Sequence, residues 1–154
     1  MTIEDDIAFL QRVPALSLLG RDALRILAIG SEARYIHEGI SLFGEGEDAD
    51  GAYVVQEGSF ELVSQKSRAE PTIAGPGTLI GELALITETR RLMTATAREP
   101  SSVVRITRQL FLKMLEGYPD AALRMRDALT ARVNETAREF SKVRASLAGQ
   151  PAHK

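Results

Sequence analysis

The residues best suited to chemistry lie close together between Gly77 and Thr94. A glycine before a short helical turn, as Gly81 is predicted to be, leaves backbone N–H groups without intrahelical partners, and these groups attract an anion together with the helix dipole. Arg91 supplies a full positive charge for a phosphate. Glu82 can accept hydrogen bonds from a sugar hydroxyl. The segment therefore holds the groups that a ribose phosphate needs.

A purely structural interpretation of the same segment stays open at this point. In that interpretation Gly81 ends a strand, and Leu83 and Leu85 fill the core. Glu82 and Arg91 then lie in solvent. The spacing of these residues does not by itself decide between a binding site and a structural turn.

Composition excludes several classes of function. The chain has 154 residues, of which 44% are hydrophobic, which is enough for one domain with its own core. The absence of cysteine excludes disulfides, thiolate zinc sites and a cysteine nucleophile. The formal net charge of -2 gives no electrostatic reason to expect direct binding to nucleic acid or a membrane. No secretory signal or long apolar run is present, so we expect a cytoplasmic protein.

Enzyme activity is not expected either. His37 and His153 are far apart in the sequence, and both are expected at the surface, so no metal site is predicted and a metal-dependent β-barrel enzyme is excluded. A nucleotide hydrolase would need paired carboxylates or a cluster of metal ligands beside the glycine-rich segment. The sequence shows neither.

The hydrophobic pattern predicts an α+β fold. Thr2 is predicted to cap a helix that ends before Pro14, and a second helix runs from about residue 21 to Ile29. Short strands separated by glycine and proline follow: Tyr35–Ile36, Ser41–Phe43, Tyr53–Gln56, Ser59–Ser64, Thr72–Ala74, Met93–Ala97 and Ser102–Arg105. Helices then return, with Thr107 as a cap, Gly117 as a stop and Pro119 as the start of a long helix.

This order predicts one domain over residues 1–154. The helices occupy about 2–30, an antiparallel β-roll (a jelly-roll-like double-stranded barrel) occupies about 33–106, and the C-terminal helices occupy about 107–148.

The run Gly81–Leu85, followed by Arg91 and Thr94, resembles the phosphate-binding cassette of cyclic-nucleotide-binding domains, a family that includes protein kinase A regulatory subunits, the catabolite activator protein and nucleotide-gated channels. The upstream roll is similar as well, over Phe43–Gly46, Ala49–Asp50, Tyr53–Val55 and Gly58. The resemblance covers about residues 5–145. It implies a regulatory module that binds cyclic AMP or cyclic GMP, with no metal or other cofactor.

The resemblance also implies a role for each residue of the cassette. Glu82 would accept a hydrogen bond from the ribose 2′-hydroxyl, and Arg91 would pair with the cyclic phosphate. The backbone N–H groups of Leu83 and Ala84 would bind phosphate oxygens, and Gly81 would allow the backbone to approach closely. The implied ligand-binding set is Gly81, Glu82, Leu83, Ala84, Arg91, Leu92, Met93 and Thr94.

Leu92 and Met93 depart from the family pattern, which has small residues after the arginine. If these side chains point into the pocket, they crowd the nucleotide. Leu92 also lacks the hydroxyl that favours guanine, which indicates cyclic AMP over cyclic GMP. The adjacent Arg90 is predicted to be a solvated loop residue, and Thr94 a strand residue that faces its neighbours.

The long C-terminal helix has a heptad pattern of largely apolar positions: Leu129, Val133, Thr136, Phe140, Val143 and Leu147. We expect its first half, to about Val133, to pack on the roll. Its second half is predicted to contact a partner, which includes pairing in a homodimer, or to cover the nucleotide as a lid, with Phe140 stacking on the base.

The leading hypothesis is therefore a regulatory domain in which nucleotide binding moves the C-terminal helix. Too few residues follow that helix for a helix-turn-helix, so we expect an unidentified protein partner and no direct contact with nucleic acid or membrane. The alternative is a degenerate member of the same fold that binds no nucleotide and serves as a protein-interaction or structural domain.

Overall fold

The computed structural model describes residues 2–66, 70–128 and 131. Its helices are α1 (Ile3–Gln11), α2 (Arg21–Gly30), α3 (Arg108–Gly117) and a helical stretch over residues 119–128, here called α4. Two short 3₁₀ turns occur at Ser17–Leu19 and Glu82–Leu85. The second of these is called the Glu82 turn below.

The N-terminal helices form where the sequence predicts them. The Thr2 side chain accepts from the backbone N–H of Asp5, and the Asp5 side chain accepts from the N–H of Thr2, which closes a capping box at the start of α1. The buried face of α1 carries Ile7 and Leu10. α2 buries Leu24 and Leu27 among its core residues, so both helices cover one side of the roll.

Within the described residues the β-roll has ten strands: β1 (Glu32–Ile36), β2 (Ser41–Phe43), β3 (Asp48–Ala49), β4 (Gly51–Glu57), β5 (Phe60–Val63), β6 (Thr72–Ala74), β7 (Leu79–Ile80), β8 (Thr89–Arg90), β9 (Thr94–Ala97) and β10 (Ser101–Thr107). One antiparallel sheet has the order β1-β10-β4-β7, and the other has the order β2-β9-β5-β6. β3 and β8 pair separately, with Asp48 opposite Arg90.

β4 divides the core into two parts because side chains on a strand alternate between its faces. Ala52 and Val54 pack with the helices, in the cluster that contains Leu24 and Phe111. Tyr53 and Val55 point into the roll, where they join side chains such as Phe60. The fold class predicted from the sequence, an antiparallel β-roll with flanking helices, is confirmed.

Some details of the prediction are wrong. The short strands β3, β7 and β8 were not expected, because a two-residue strand carries no periodic signal. Arg90 therefore lies in β8 and not in a loop, although its side chain is exposed as predicted. Met93 precedes its predicted strand, which begins at Thr94. All six positions of the predicted heptad pattern, including Phe140, lie outside the described residues.

Candidate functional site

A cavity of about 230 Å³ opens beside the Glu82 turn. Its wall is mostly apolar. The lining residues are Phe43, Ala49, Leu62, Leu79, Ile80, Gly81, Leu83, Ala84, Thr89, Arg90, Arg91, Leu92 and Met93. Four regions of the chain meet here: β2, β3, β5 and the segment from β7 to Met93. Such a wall suits a ligand with an apolar body, provided that the polar groups present match its charge.

Arg91 is the buried charged residue of this cavity. Its residue surface is only 6% exposed, and its Nη1 is a buried nitrogen without a hydrogen-bond partner. A buried polar group of this kind calls for an explanation, because nearly all buried N–H groups in folded proteins are bonded. An anion in the cavity is the partner that a guanidinium binds best.

Gly81 makes room for this guanidinium. A Cβ atom added to Gly81 would lie 2.5 Å from Nη1 of Arg91, closer than two such atoms can approach. The backbone of Gly81 also has a φ of +79°, a left-handed conformation that glycine adopts without strain. Gly81 therefore allows the left-handed backbone of the turn and leaves space for the Arg91 guanidinium.

Two aromatic rings support the charge of Arg91. Its guanidinium carbon lies 4.2 Å from the centre of the Phe43 ring and 5.6 Å from that of the Tyr53 ring. Both distances suit a cation–π interaction. Burial lowers the pKa of Arg91 because it removes water from the charged group, while nearby groups that include Asp50 and Glu47 act in the opposite direction. Asp50 itself forms an ion pair with Arg105.

Backbone hydrogen bonds fix Arg91 to the turn between β2 and β3. Its N–H donates to the carbonyl oxygen of Glu47 at 2.8 Å, and its own carbonyl oxygen accepts from Gly46 at 2.8 Å. The Thr94 hydroxyl holds the same turn by accepting from the N–H of Glu45 at 2.9 Å. These hydrogen bonds hold the backbone of Arg91 in place, and its guanidinium extends from there to Gly81 at the start of the Glu82 turn.

The sequence model of the cyclic nucleotide-binding domain family matches residues 33–118, which is more than half of the chain. The chain belongs to this family. The matched residues contain the whole cavity wall described above. The family predicted from the sequence is thus confirmed.

Known proteins agree with this assignment. A cyclic nucleotide-binding-like protein from Brucella abortus is 38% identical, with a TM-score of 0.64, over 73% of this chain and 98% of that one. The N-terminal domain of a transcriptional regulator from Streptomyces coelicolor is 27% identical, with a TM-score of 0.76, over 86% and 94%. A cAMP-dependent protein kinase regulatory subunit from Yarrowia lipolytica is 29% identical over 107 residues, which is 70% of this chain and 28% of the relative.

The curated relatives are longer proteins than this cyclic-nucleotide-binding domain. The chain spans 48% of the length of one of them and 19% of another. Within the described residues, no helix is both long and apolar enough to cross a membrane. The same part of the chain has no cluster of histidine, aspartate and glutamate side chains that could hold a metal ion.

The structure gathers most, but not all, of the predicted ligand-binding residues of the domain. Those that line the cavity are Gly81, Leu83, Ala84, Arg91, Leu92 and Met93. Glu82 instead lines a neighbouring groove of about 420 Å³, together with Leu18, Met125 and Ala128. Thr94 lies in β9 and holds the turn before β3. Phe140 is outside the described residues.

Reasoning from the sequence missed Phe43 and Tyr53 as functional residues. The sequence places both residues only in the part of the roll that resembles the family. Aromatic residues make up just 5% of this chain, and two of them lie in strands that flank the cassette. That scarcity, together with their place in the roll, was the available signal, although only the fold shows that both rings face Arg91.

Proposed function

We propose that this domain is a regulatory module that binds a cyclic nucleotide, with the cyclic phosphate on Arg91. The observation that carries the proposal is the buried Nη1 of Arg91, which has no hydrogen-bond partner in the described structure. Leaving a buried charged donor unbonded is unfavourable, and a phosphate oxygen relieves this by accepting a charge-assisted hydrogen bond. No catalytic step is part of this function.

The Glu82 turn supplies the other contacts in the proposed complex. Its backbone N–H groups at Leu83 and Ala84 bind phosphate oxygens, and Gly81 allows that approach. In the structure the N–H of Ala84 donates to the carbonyl oxygen of Gly81 at 3.1 Å, so the phosphate must share or replace this bond. Glu82 accepts from the ribose 2′-hydroxyl once its carboxylate turns from the groove toward the cavity.

The proposed ligand is cyclic AMP in preference to cyclic GMP. Leu92 at the cavity has no hydroxyl to bond the amine of guanine. The relative from Yarrowia lipolytica is named as a cAMP-dependent regulatory subunit, which favours the same nucleotide. Leu92 is 74% exposed and lies at the mouth of the cavity. In the proposed complex it restricts the space for the base and does not alter the phosphate contacts of Arg91.

Nucleotide binding is proposed to move the C-terminal helix. Glu82 and two residues of α4, Met125 and Ala128, line the same groove, so the cassette and the helix are neighbours. A shift of the Glu82 turn changes the contacts that α4 makes there, which couples the cavity to a partner. We propose that this partner is another protein or a second copy of the chain, and that the protein acts in the cytoplasm.

Isothermal titration calorimetry of the whole chain tests the proposal. Cyclic AMP should bind more tightly than cyclic GMP, and the open nucleotide 5′-AMP serves as the control because it has the same base without the cyclic phosphate. Absence of heat with both cyclic nucleotides at high micromolar concentration would contradict the proposal. Mass spectrometry of small molecules released from the purified protein shows whether a nucleotide is already bound.

A second candidate function has a specific observation in its favour. Leu92 and Met93 both line the cavity, where the resemblance implies small residues, and Glu82 lines the neighbouring groove instead. A domain crowded in this way would keep the fold and bind no nucleotide, and would then act through protein contacts. The same titration separates the two candidates.

A further inference from the structure

One arginine behind the cavity contacts three backbone points of the surrounding structure. The Nη1 of Arg108 donates to the carbonyl oxygens of Ala49 and Ala84, each at 3.0 Å. It also donates to the carbonyl oxygen of Thr87 at 2.9 Å. Ala49 and Ala84 line the cavity, whereas Arg108 faces the opposite side of this wall, beside Asp48 and Asp50.

The position of Arg108 is unfavourable for the helix to which it belongs. Arg108 is the first residue of α3, where the helix dipole places partial positive charge. The first turn of α3 has no acidic residue to offset the added cation. Helix stability therefore gives no reason for an arginine here, and the three carbonyl oxygens do.

Two of those oxygens belong to the C-terminal end of the Glu82 turn. Ala84 lies within the turn, and Thr87 follows it, with its N–H bonded to the carbonyl oxygen of Leu83 at 3.2 Å. A basic side chain that bonds the last carbonyls of a helical turn satisfies groups that have no partner within it. Arg108 thus caps the end of the turn that is opposite to Gly81.

The third oxygen, that of Ala49, lies in β3. One guanidinium nitrogen has two hydrogens, so three acceptors must share them, and each contact depends on the positions of the other two. The backbone N–H of Arg108 also donates to the carbonyl oxygen of Asp50 at 2.7 Å. Arg108 therefore fixes the distance between the Glu82 turn and β3, and does so from the start of α3.

We propose that Arg108 is a positioning residue for the phosphate site and the mechanical link between the Glu82 turn and α3. It contacts the carbonyl side of the turn and leaves the cavity side to the ligand. When the turn moves, the start of α3 moves with it, because Arg108 belongs to α3 and its side chain bonds the turn. The effect on nucleotide affinity rests on the proposed function, whereas the effect on the turn does not.

The first test measures affinity in Arg108→Met and Arg108→Lys. Methionine keeps an apolar stem but has no donor, so we expect cyclic AMP binding to weaken at least about tenfold. Lysine has three donors on one nitrogen and should restore affinity to within about threefold of the native protein. Arg98→Met is the matched control, since Arg98 is exposed and outside the cavity wall, and it should bind normally.

Two phosphorothioate diastereomers of cyclic AMP separate positioning from general destabilisation. In each diastereomer sulfur replaces one of the two exocyclic phosphate oxygens, so the ratio of their affinities reports the geometry of the phosphate site. Arg108→Met should change this ratio. If both analogues weaken equally and Arg108→Lys restores nothing, Arg108 has only a structural role and the proposal is wrong.

Amide hydrogen exchange without ligand tests the turn by itself. The N–H groups of Ala84, Ile86 and Thr87 bond within or next to the Glu82 turn, and they should exchange at least about tenfold faster in Arg108→Met. Val54 and Val55 in β4 are the internal reference for global stability. Unchanged exchange at the turn overturns the proposal even if the native protein binds no nucleotide. Failure to bind with faster exchange contradicts only the proposed function.

Discussion

The cavity has a buried floor, formed by Arg91, and an exposed rim, formed by Leu92 and Met93, and the two differ in burial and in contacts. At the floor, Arg91 is 6% exposed, lies over two aromatic rings and is held by backbone bonds to the turn before β3. At the rim, Leu92 is 74% exposed and Met93 is 37% exposed. These residues are consecutive in the sequence, yet Arg91 is buried by its surroundings, whereas Leu92 is mostly exposed and Met93 is partly exposed.

In the proposed complex the floor and the rim have different roles. The floor keeps a buried cation without a bonded partner at Nη1, which is an unfavourable arrangement unless an anion enters. The rim carries two apolar side chains that are partly or largely exposed. Substitutions at the floor should therefore decide whether a nucleotide binds, and substitutions at the rim should change how tightly it binds.

The largest effect is expected for Arg91→Ala. Loss of charge-assisted hydrogen bonds to the phosphate should weaken cyclic AMP binding about 100-fold or more, measured by calorimetry. Arg90→Ala is the matched control, because Arg90 also lines the cavity but its side chain is 75% exposed, with its Nε 3.8 Å from Oδ1 of Asp48. It should change the affinity less than about fivefold. Equal losses in the two variants would show that Arg91 is not the phosphate ligand.

Gly81→Ala should have the next largest effect. The added Cβ would displace Nη1 of Arg91, so we expect cyclic AMP affinity to fall about tenfold. Because alanine is strained in the left-handed backbone conformation, the free energy of unfolding should also fall by about 1 kcal/mol.

Gly39→Ala is the control for that backbone strain. Gly39 has a φ of +84°, but a Cβ added there meets nothing within 4 Å. Both variants should therefore lose similar stability in thermal denaturation, and only Gly81→Ala should lose affinity. Normal nucleotide binding by Gly81→Ala would mean that Arg91 can move aside, which contradicts a rigid floor.

Removing the buried charge should stabilise the ligand-free domain. In Arg91→Met an apolar side chain replaces a desolvated guanidinium, so we expect the free energy of unfolding to rise by about 1 kcal/mol despite the lost cation–π contacts. The melting temperature should rise by about 2–4 °C for a domain of this size. A lower melting temperature without ligand would show that Arg91 is already satisfied in the empty cavity.

The sequence predicts the fold better than it predicts the site. The capping box at Thr2, the glycine stops and the alternating strands are local patterns, and the helices and longer strands formed where these patterns indicate. The contacts of the Phe43 and Tyr53 rings with Arg91 depend on pairing between strands that are far apart in the chain, and no local sequence pattern reveals them. The place of Glu82 in the groove beside Met125 and Ala128 likewise depends on residues far away in the sequence.

The smallest effect is expected at the rim, in the double variant Leu92→Ala/Met93→Ala. Shorter side chains leave more room for the ligand, so cyclic AMP affinity should rise by about threefold or less, and the free energy of unfolding should change by less than about 0.5 kcal/mol. Leu112→Ala, which shortens a 40% exposed leucine in α3, is the control and should leave affinity unchanged. If the native protein binds nothing and the double variant binds cyclic AMP, the rim blocks the site and the non-binding function is correct. If the double variant binds more weakly, Leu92 and Met93 contact the base directly. The rim would then contribute to the affinity for cyclic AMP, and Arg91 at the floor would not be its sole source.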